Sequence, residues 1–238
     1  MVENYYVGAY WPGRPEPLEE YARRASVFMR HLAALDPTLV RWFEQANSRD
    51  AALRSQFTTD TETLLGLFNK QKYRRGGGDV SFAAWNGESE SSSVVSVSCG
   101  SPSPYVVDCC ILTPPMRGPI AERLLSASMV AQVLRAMALA WEPEWSVATS
   151  EVHRDMVSED AAVGTFVGWG MYFSRERGSV PPLPAPVRIE PVEDLGTLVI
   201  LTPERFTASN PAHVALAAHV QGLLAQSGLL EPLQPLPG

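Results

Sequence analysis

Six carboxylates crowd the stretch from Glu142 to Asp160: Glu142, Glu144, Glu151, Asp155, Glu159 and Asp160. They face one base, Arg154, and Trp141 and Trp145 bracket the start of the run. Fixed on neighbouring strands, paired acids can hold a divalent metal for hydrolysis or act on a glycoside. Spread over a surface with aromatic anchors, they can bind the basic cleft of another protein. The plainest use of the same residues is a solvated acidic surface.

The other chemistry-bearing residues point less far. RRGGGD (Arg74–Asp79) lacks the Lys-Ser/Thr of a phosphate loop and precedes a strand, so it reads as a helix-to-strand connection. Gly168 and Gly170 lie inside an apolar pattern, FVGWGMYF. That pattern predicts a strand over Phe166–Phe173 buried on both faces, with two glycines that let a helix backbone approach. His31, His153, His213 and His219 have neither the spacing nor the neighbours of metal ligands. Cys99, Cys109 and Cys110 are an odd set with two adjacent members, which argues against a disulfide framework and for a reducing compartment. No HExxH, GxSxG or CxxC occurs.

These groups need elements to position them. With 238 residues, 45% apolar and 19% charged, the composition is globular. The reading is one domain over 1–238, with 229–238 as a frayed tail. No apolar run reaches the roughly 18 residues of a membrane span, and MVENYYVGAYWPG has no signal-peptide pattern, so the expected location is cytoplasmic. Residues 120–238 carry 7 basic and 13 acidic groups and hold −6 of the net charge of −7. An acidic face repels nucleic acid and attracts basic proteins.

Tyr5–Trp11 reads as a strand, and an amphipathic helix follows Pro15-Glu16-Pro17. Residues 38–46 fit either a short helix or a strand. Thr59 or Asp60 caps a second helix. Three strands in meander order follow: Val80–Trp85, Val94–Cys99 and Tyr105–Leu112. A long helix is predicted from Ile120 to about Ala140. Strands are expected over Trp145–Ser150, Val187–Val192 and Thr197–Leu201. Ser209-Asn210-Pro211 starts a last helix. Because strands come in runs, the fold class is α+β, a largely antiparallel sheet with about four packed helices.

Several segments, in order along nearly the whole chain, resemble the immunity protein 52 family. They are YYVGAYWPGRPEPLEEYARR, LAALDPTLVRWFE, AAWNG, AWEPEWSVATSEV, VGWGMYFS and PPLPAPVRIEPVEDLGTLVILTPERFTASNPAHVALA. Glu142 stands where an aspartate is more usual, and Met171 where threonine is frequent. The resemblance implies an inhibitor encoded beside a bacterial polymorphic toxin, with no catalytic residue, metal or cofactor. It implies as partner a cognate toxin, often a nuclease of restriction-endonuclease fold delivered by a secretion system into neighbouring cells. The candidate partner-binding residues are Glu142, Glu144, Trp145, Glu151, Asp155, Glu159 and Asp160, with Glu88 and Glu90 of the polar connection NGESESSS as a second set. A metal-dependent hydrolase using the acids of 142–160 is the alternative.

Overall fold

The first strand, β1 (Tyr5–Pro12), is hydrogen-bonded along both edges. The computed structural model describes residues 3–75, 79–103, 105–158 and 162–234. After β1 come α1 (Leu18–Leu35), β2 (Trp42–Glu44), α2 (Arg49–Leu53), β3 (Gln56–Phe57) and α3 (Thr61–Phe68). The meander is β4 (Val80–Trp85), β5 (Val94–Cys99) and β6 (Val107–Thr113). Then follow α4 (Pro119–Leu124), α5 (Ala127–Trp141), β7 (Trp145–Ser150), α6 (Glu151–Val157) and β8 (Gly170–Ser174). The chain ends with β9 (Arg188–Val192), β10 (Gly196–Ile200) and α7 (Pro211–Gln226). The strands form one antiparallel sheet in the order β3-β2-β4-β5-β6-β1-β7-β8-β10-β9.

Alternation decides which face each strand buries. In β4, β5 and β6 every second residue is buried: Val80, Phe82 and Ala84, then Val95, Val97 and Cys99, then Cys110 and Leu112. Helices cover that face. α1 brings Tyr21, Ala25, Phe28, Met29 and Leu32, and packs on α3 and α5. α5 brings Val130, Val133, Leu134, Met137 and Trp141 over β1, β7, β8 and β10. Every residue of β7 is buried, so its second face is covered too. The cover is segment 163–169, which α7 clamps: Gln221 accepts from the Val167 N–H at 2.8 Å and donates to the Thr165 carbonyl at 3.0 Å.

The α+β class agrees with the sequence, but seven helices are present among the described residues where about four were expected. The expected helix Ile120–Ala140 is two. Ser126 interrupts it by accepting from the Met129 N–H, which caps α5. α2 and α6 are also capped by serines, Ser48 and Ser150. All three additional helices are under two turns and so show no usable periodicity. Residues 38–46 hold a 3-10 turn over Pro37–Leu39 and then β2.

The glycine-rich strand also differs from expectation. β8 starts only at Gly170, although Phe166, Val167 and Trp169 are buried. The two glycines admit different neighbours. A Cβ on Gly170 would lie 2.9 Å from Leu134 Cδ1 and 3.1 Å from Val130 Cγ1, so side chains of α5 fill the space, not a helix backbone. A Cβ on Gly168 would lie 2.6 Å from the Ala148 carbonyl oxygen, because the chain crosses directly over β7. Residues 229–234, expected to fray, are packed: Leu229, Leu230 and Leu233 are buried, and the Leu233 N–H donates to the Val163 carbonyl. Residues 235–238 lie outside the described residues.

Asp36 ties the end of α1 to α4. Its carboxylate accepts from the Thr38 N–H and hydroxyl and pairs with Arg123. Burial alone would raise its pKa. The hydrogen bonds from Arg123 and Thr38 outweigh burial and hold the carboxyl at about 2.

Two expectations follow. Gly168→Ala meets a backbone oxygen that cannot move, and should cost about 2–3 kcal/mol in urea denaturation. Gly170→Ala meets movable side-chain ends and should cost about 1 kcal/mol. Asp36 has a depressed folded pKa, so its contribution is complete above its unfolded value of about 4 and is lost as pH falls towards about 2. Asp36→Asn should remove about 2 kcal/mol at neutral pH and flatten the stability profile between those limits, as read by denaturation midpoints against pH.

Candidate functional site

Among the described residues, the acidic run does not form one cluster. β7 carries the chain from Glu144 to Glu151, and at about 3.3 Å per residue this separates the two acids by roughly 20 Å. Glu142 and Glu144 stand at one end of the strand, Glu151 and Asp155 at the other. Among the described residues no group of three or more His, Cys, Asp or Glu is placed to hold a metal. Glu159 and Asp160 lie outside the described residues.

At the first end the acids serve the fold. Glu142 ends α5 in the left-handed region, at φ 48°, and accepts from Arg24 at 3.0 Å. The Arg24 side chain is 8% exposed and also bonds Glu16 at 3.0 Å, Glu20 at 3.2 Å and the Ala140 carbonyl at 3.2 Å. This guanidinium therefore locks α1 to the end of α5. Beside it the Trp11 and Trp141 rings stack at 5.3 Å, and Arg14 donates to the Trp141 carbonyl. Glu144 pairs with Arg177 at 3.4 Å, and Arg177 also donates to the Leu229 and Glu231 carbonyls. Trp145 is 1% exposed, packed against Tyr10 and Phe166. It is a core residue and not a surface anchor, and its indole N–H has no partner among the described residues.

At the second end Glu151 lines an open groove of about 1190 Å³. Its floor is the face of β5, β6 and β1 that no helix covers among the described residues, with Tyr6, Tyr10, Ser96 and Ile111. Gly8 lies between the two tyrosines on the same face. A Cβ there would sit 2.5 Å from the Tyr10 hydroxyl, so the missing side chain lets Tyr10 lie flat along the strand. One side is the β4–β5 connection with Ser89 to Ser92, including Glu90. The opposite side is α6, with Glu151 and Arg154, together with Val163 and Phe166. The turn 114–119 closes the end where β6 leaves the sheet and displays Met116, 52% exposed, and Arg117.

Charge in the groove is partly spent internally. Arg154 pairs with Asp155 at 2.8 Å and lies 5.8 Å from the Tyr6 ring centroid. Glu151 accepts from the Asn4 side chain. Neither Glu90 nor Glu151 is paired with a cation among the described residues. Glu88 faces a smaller adjoining hollow with Trp85 and pairs weakly with Arg41 at 3.7 Å.

His153, His213 and the thiols are structural. His153 is fully buried, its Nε2 3.0 Å from the Val167 carbonyl and its ring against Phe206. Burial lowers its pKa, so the imidazole is neutral. His213 accepts from the Thr207 N–H at Nδ1 and meets Glu204 at Nε2, which orders the entry to α7. Burial pushes the Cys109 thiol up to about 11 and the Cys99 and Cys110 thiols well above their ordinary value, so none is an activated nucleophile. Sequence reasoning missed Tyr6, Tyr10, Ser96, Ile111 and Met116 as groove residues. Only Gly8 between two tyrosines signalled an unusual strand surface.

The Immunity protein 52 family matches residues 3–233 of this sequence. Among curated proteins none matches. Among solved structures, a Pseudomonas aeruginosa T6SS protein is similar over 99% of this chain and 75% of its own, with a TM-score of 0.54 and 14% identity. That likeness shows a shared fold.

The two ends of β7 should respond differently to substitution. Arg24→Met removes one partner of a buried ionic network and should cost about 3 kcal/mol in chemical denaturation. Glu151→Gln, at the exposed groove edge, should change stability by no more than about 0.5 kcal/mol.

Proposed function

This chain belongs to the immunity protein 52 family, and from that premise we propose that it binds a cognate bacterial toxin and neutralises it inside the producing cell. The family match across residues 3–233 carries this reading. The toxin is a nuclease with a restriction-endonuclease fold, delivered by a secretion system of the T6SS kind, in keeping with the structural likeness to a T6SS protein. The chain acts in the cytoplasm as a stoichiometric inhibitor and performs no catalysis. Among the described residues no helix is long and apolar enough to cross a membrane.

The physics of the chain supports a basic partner. Its net charge is −7, and a nuclease presents cations to hold phosphates. Of the acids singled out in the sequence, Glu90 and Glu151 line the groove, Glu88 lines the adjoining hollow and Asp155 is paired with Arg154 beside it, and these four are the proposed binding set. Glu142 and Glu144 are engaged by Arg24 and Arg177 and hold the scaffold. A specific interface of standard size buries roughly 1,600 Å². Protection against a few toxin copies requires nanomolar binding, about −12 kcal/mol. Among the described residues, the carboxylates that a metal-dependent hydrolase would use, Glu142, Glu144, Glu151 and Asp155, are divided between the ends of β7.

The test is co-purification of the tagged chain with the product of the adjacent gene, then calorimetry and a nuclease assay on the complex. The expected result is a stoichiometric nanomolar complex with nuclease activity abolished. Failure to bind any neighbouring product would sink the proposal.

A further inference from the structure

Part of one sheet face is open. On one face α1, α3 and α5 cover the sheet, and on the other α7 and segment 163–169 cover the β7 side. Over β5, β6 and β1 the second face has no covering element among the described residues and forms the floor of the groove, as an antiparallel sheet allows. The gap has the dimensions of a helix. From β5 to β7 is three strand spacings, about 14 Å, against a helix diameter of about 10–12 Å. The groove volume, about 1190 Å³, is of the same order as that of a helix of roughly three turns, about ten residues.

The surface of the gap sets the chemistry of its occupant. The floor offers Tyr6, Tyr10 and Ile111, which suits an apolar stripe. Glu90 on one side and Glu151 on the other carry no cationic partner among the described residues, whereas Arg154 is already matched by Asp155. Arg117, on the turn at the closed end, likewise has no ion-pair partner among the described residues, so positive charge on the occupant belongs on its flanks and not at that end. An occupant with positive charge on both flanks answers this arrangement.

We propose that the groove is the docking cleft for one amphipathic helix of the toxin, with its apolar stripe on Tyr6, Tyr10 and Ile111 and Lys or Arg residues beside Glu90 and Glu151. The proposal rests on the toxin-binding reading above and specifies the site and the kind of segment it takes. Helix-in-groove recognition needs no rearrangement of this chain, because its floor is built on central strands.

The experiment uses the full chain and the full-length cognate toxin domain. Ser96→Trp fills the groove from the uncovered face of β5 and should weaken the complex by about 30-fold or more. Glu90→Lys with Glu151→Lys, two exposed changes that leave the core alone, should slow association by about tenfold and reduce its salt dependence. Hydrogen exchange on the wild-type complex should protect one basic helical segment of the toxin. Wild-type affinity in a folded Ser96→Trp variant, or in the double-lysine variant if Ser96→Trp does not fold, would overturn the groove. Protection of only extended or acidic toxin segments would overturn the helix. Loss of binding by the wild-type chain itself would instead overturn the toxin-binding reading and the docking proposal with it.

Discussion

Everything in this fold depends on β1 being paired along both edges. Its residues Val7–Pro12 run against β6, and Tyr5–Tyr10 run against β7. Without that strand the sheet would separate into β3-β2-β4-β5-β6 and β7-β8-β10-β9. Both joints link residues far apart in sequence, so the loop-closure cost is high and the burial must be large. The inner face meets it with Val7, Ala9 and Trp11, all buried on the side that α5 covers. The outer face of the same strand carries Tyr6, Gly8 and Tyr10. One strand thus closes the core and supplies the middle of the groove.

The helices that lie on β1 must be held in register with it, and ionic rather than apolar contacts do part of this. Arg24 joins α1 to the end of α5 through Glu16, Glu20 and Glu142. Asp36 joins the other end of α1 to α4 through Arg123. Such buried charges add specificity of arrangement more than net stability. Their positions matter for the site because α5 ends at Trp141, where the chain turns through Glu142 into β7. The angle of that turn decides where Glu151 and α6 emerge at the far end.

Much of this was legible in the sequence. The alternation of Val80–Trp85 and Val94–Cys99 marks strands with one buried face, and the structure places both strands at those limits. Asp60 does cap α3, accepting from the Thr63 N–H at 2.9 Å. α6 was not legible, because a seven-residue helix started by a serine has no periodicity to detect. The candidate site was half legible. Glu90 and Glu151 were each picked out by charge, but nothing local brings them to one groove. Only the pairing of β5, β6, β1 and β7 does so. Trp145 misled for a related reason: next to acids it resembles an interface anchor, yet segment 163–169 folds back over it, and the signal for that is Gly168, where the chain crosses β7.

The position of the groove also separates the outward face of the sheet from the core. Along β5 and β6, Val95, Val97, Cys110 and Leu112 face the helices, while Ser96, Ile111 and Thr113 face outward. Strand geometry therefore assigns neighbouring residues to independent tasks. Outward residues can vary to match a partner without opening a cavity in the core. The backbone that carries them is hydrogen-bonded on both sides and is among the last parts of a sheet to open. The rim is stiffened as well, since Pro114, Pro115 and Pro119 restrict the turn that bears Met116 and Arg117. A surface fixed in this way loses little conformational freedom on association, so more of each contact is kept as affinity.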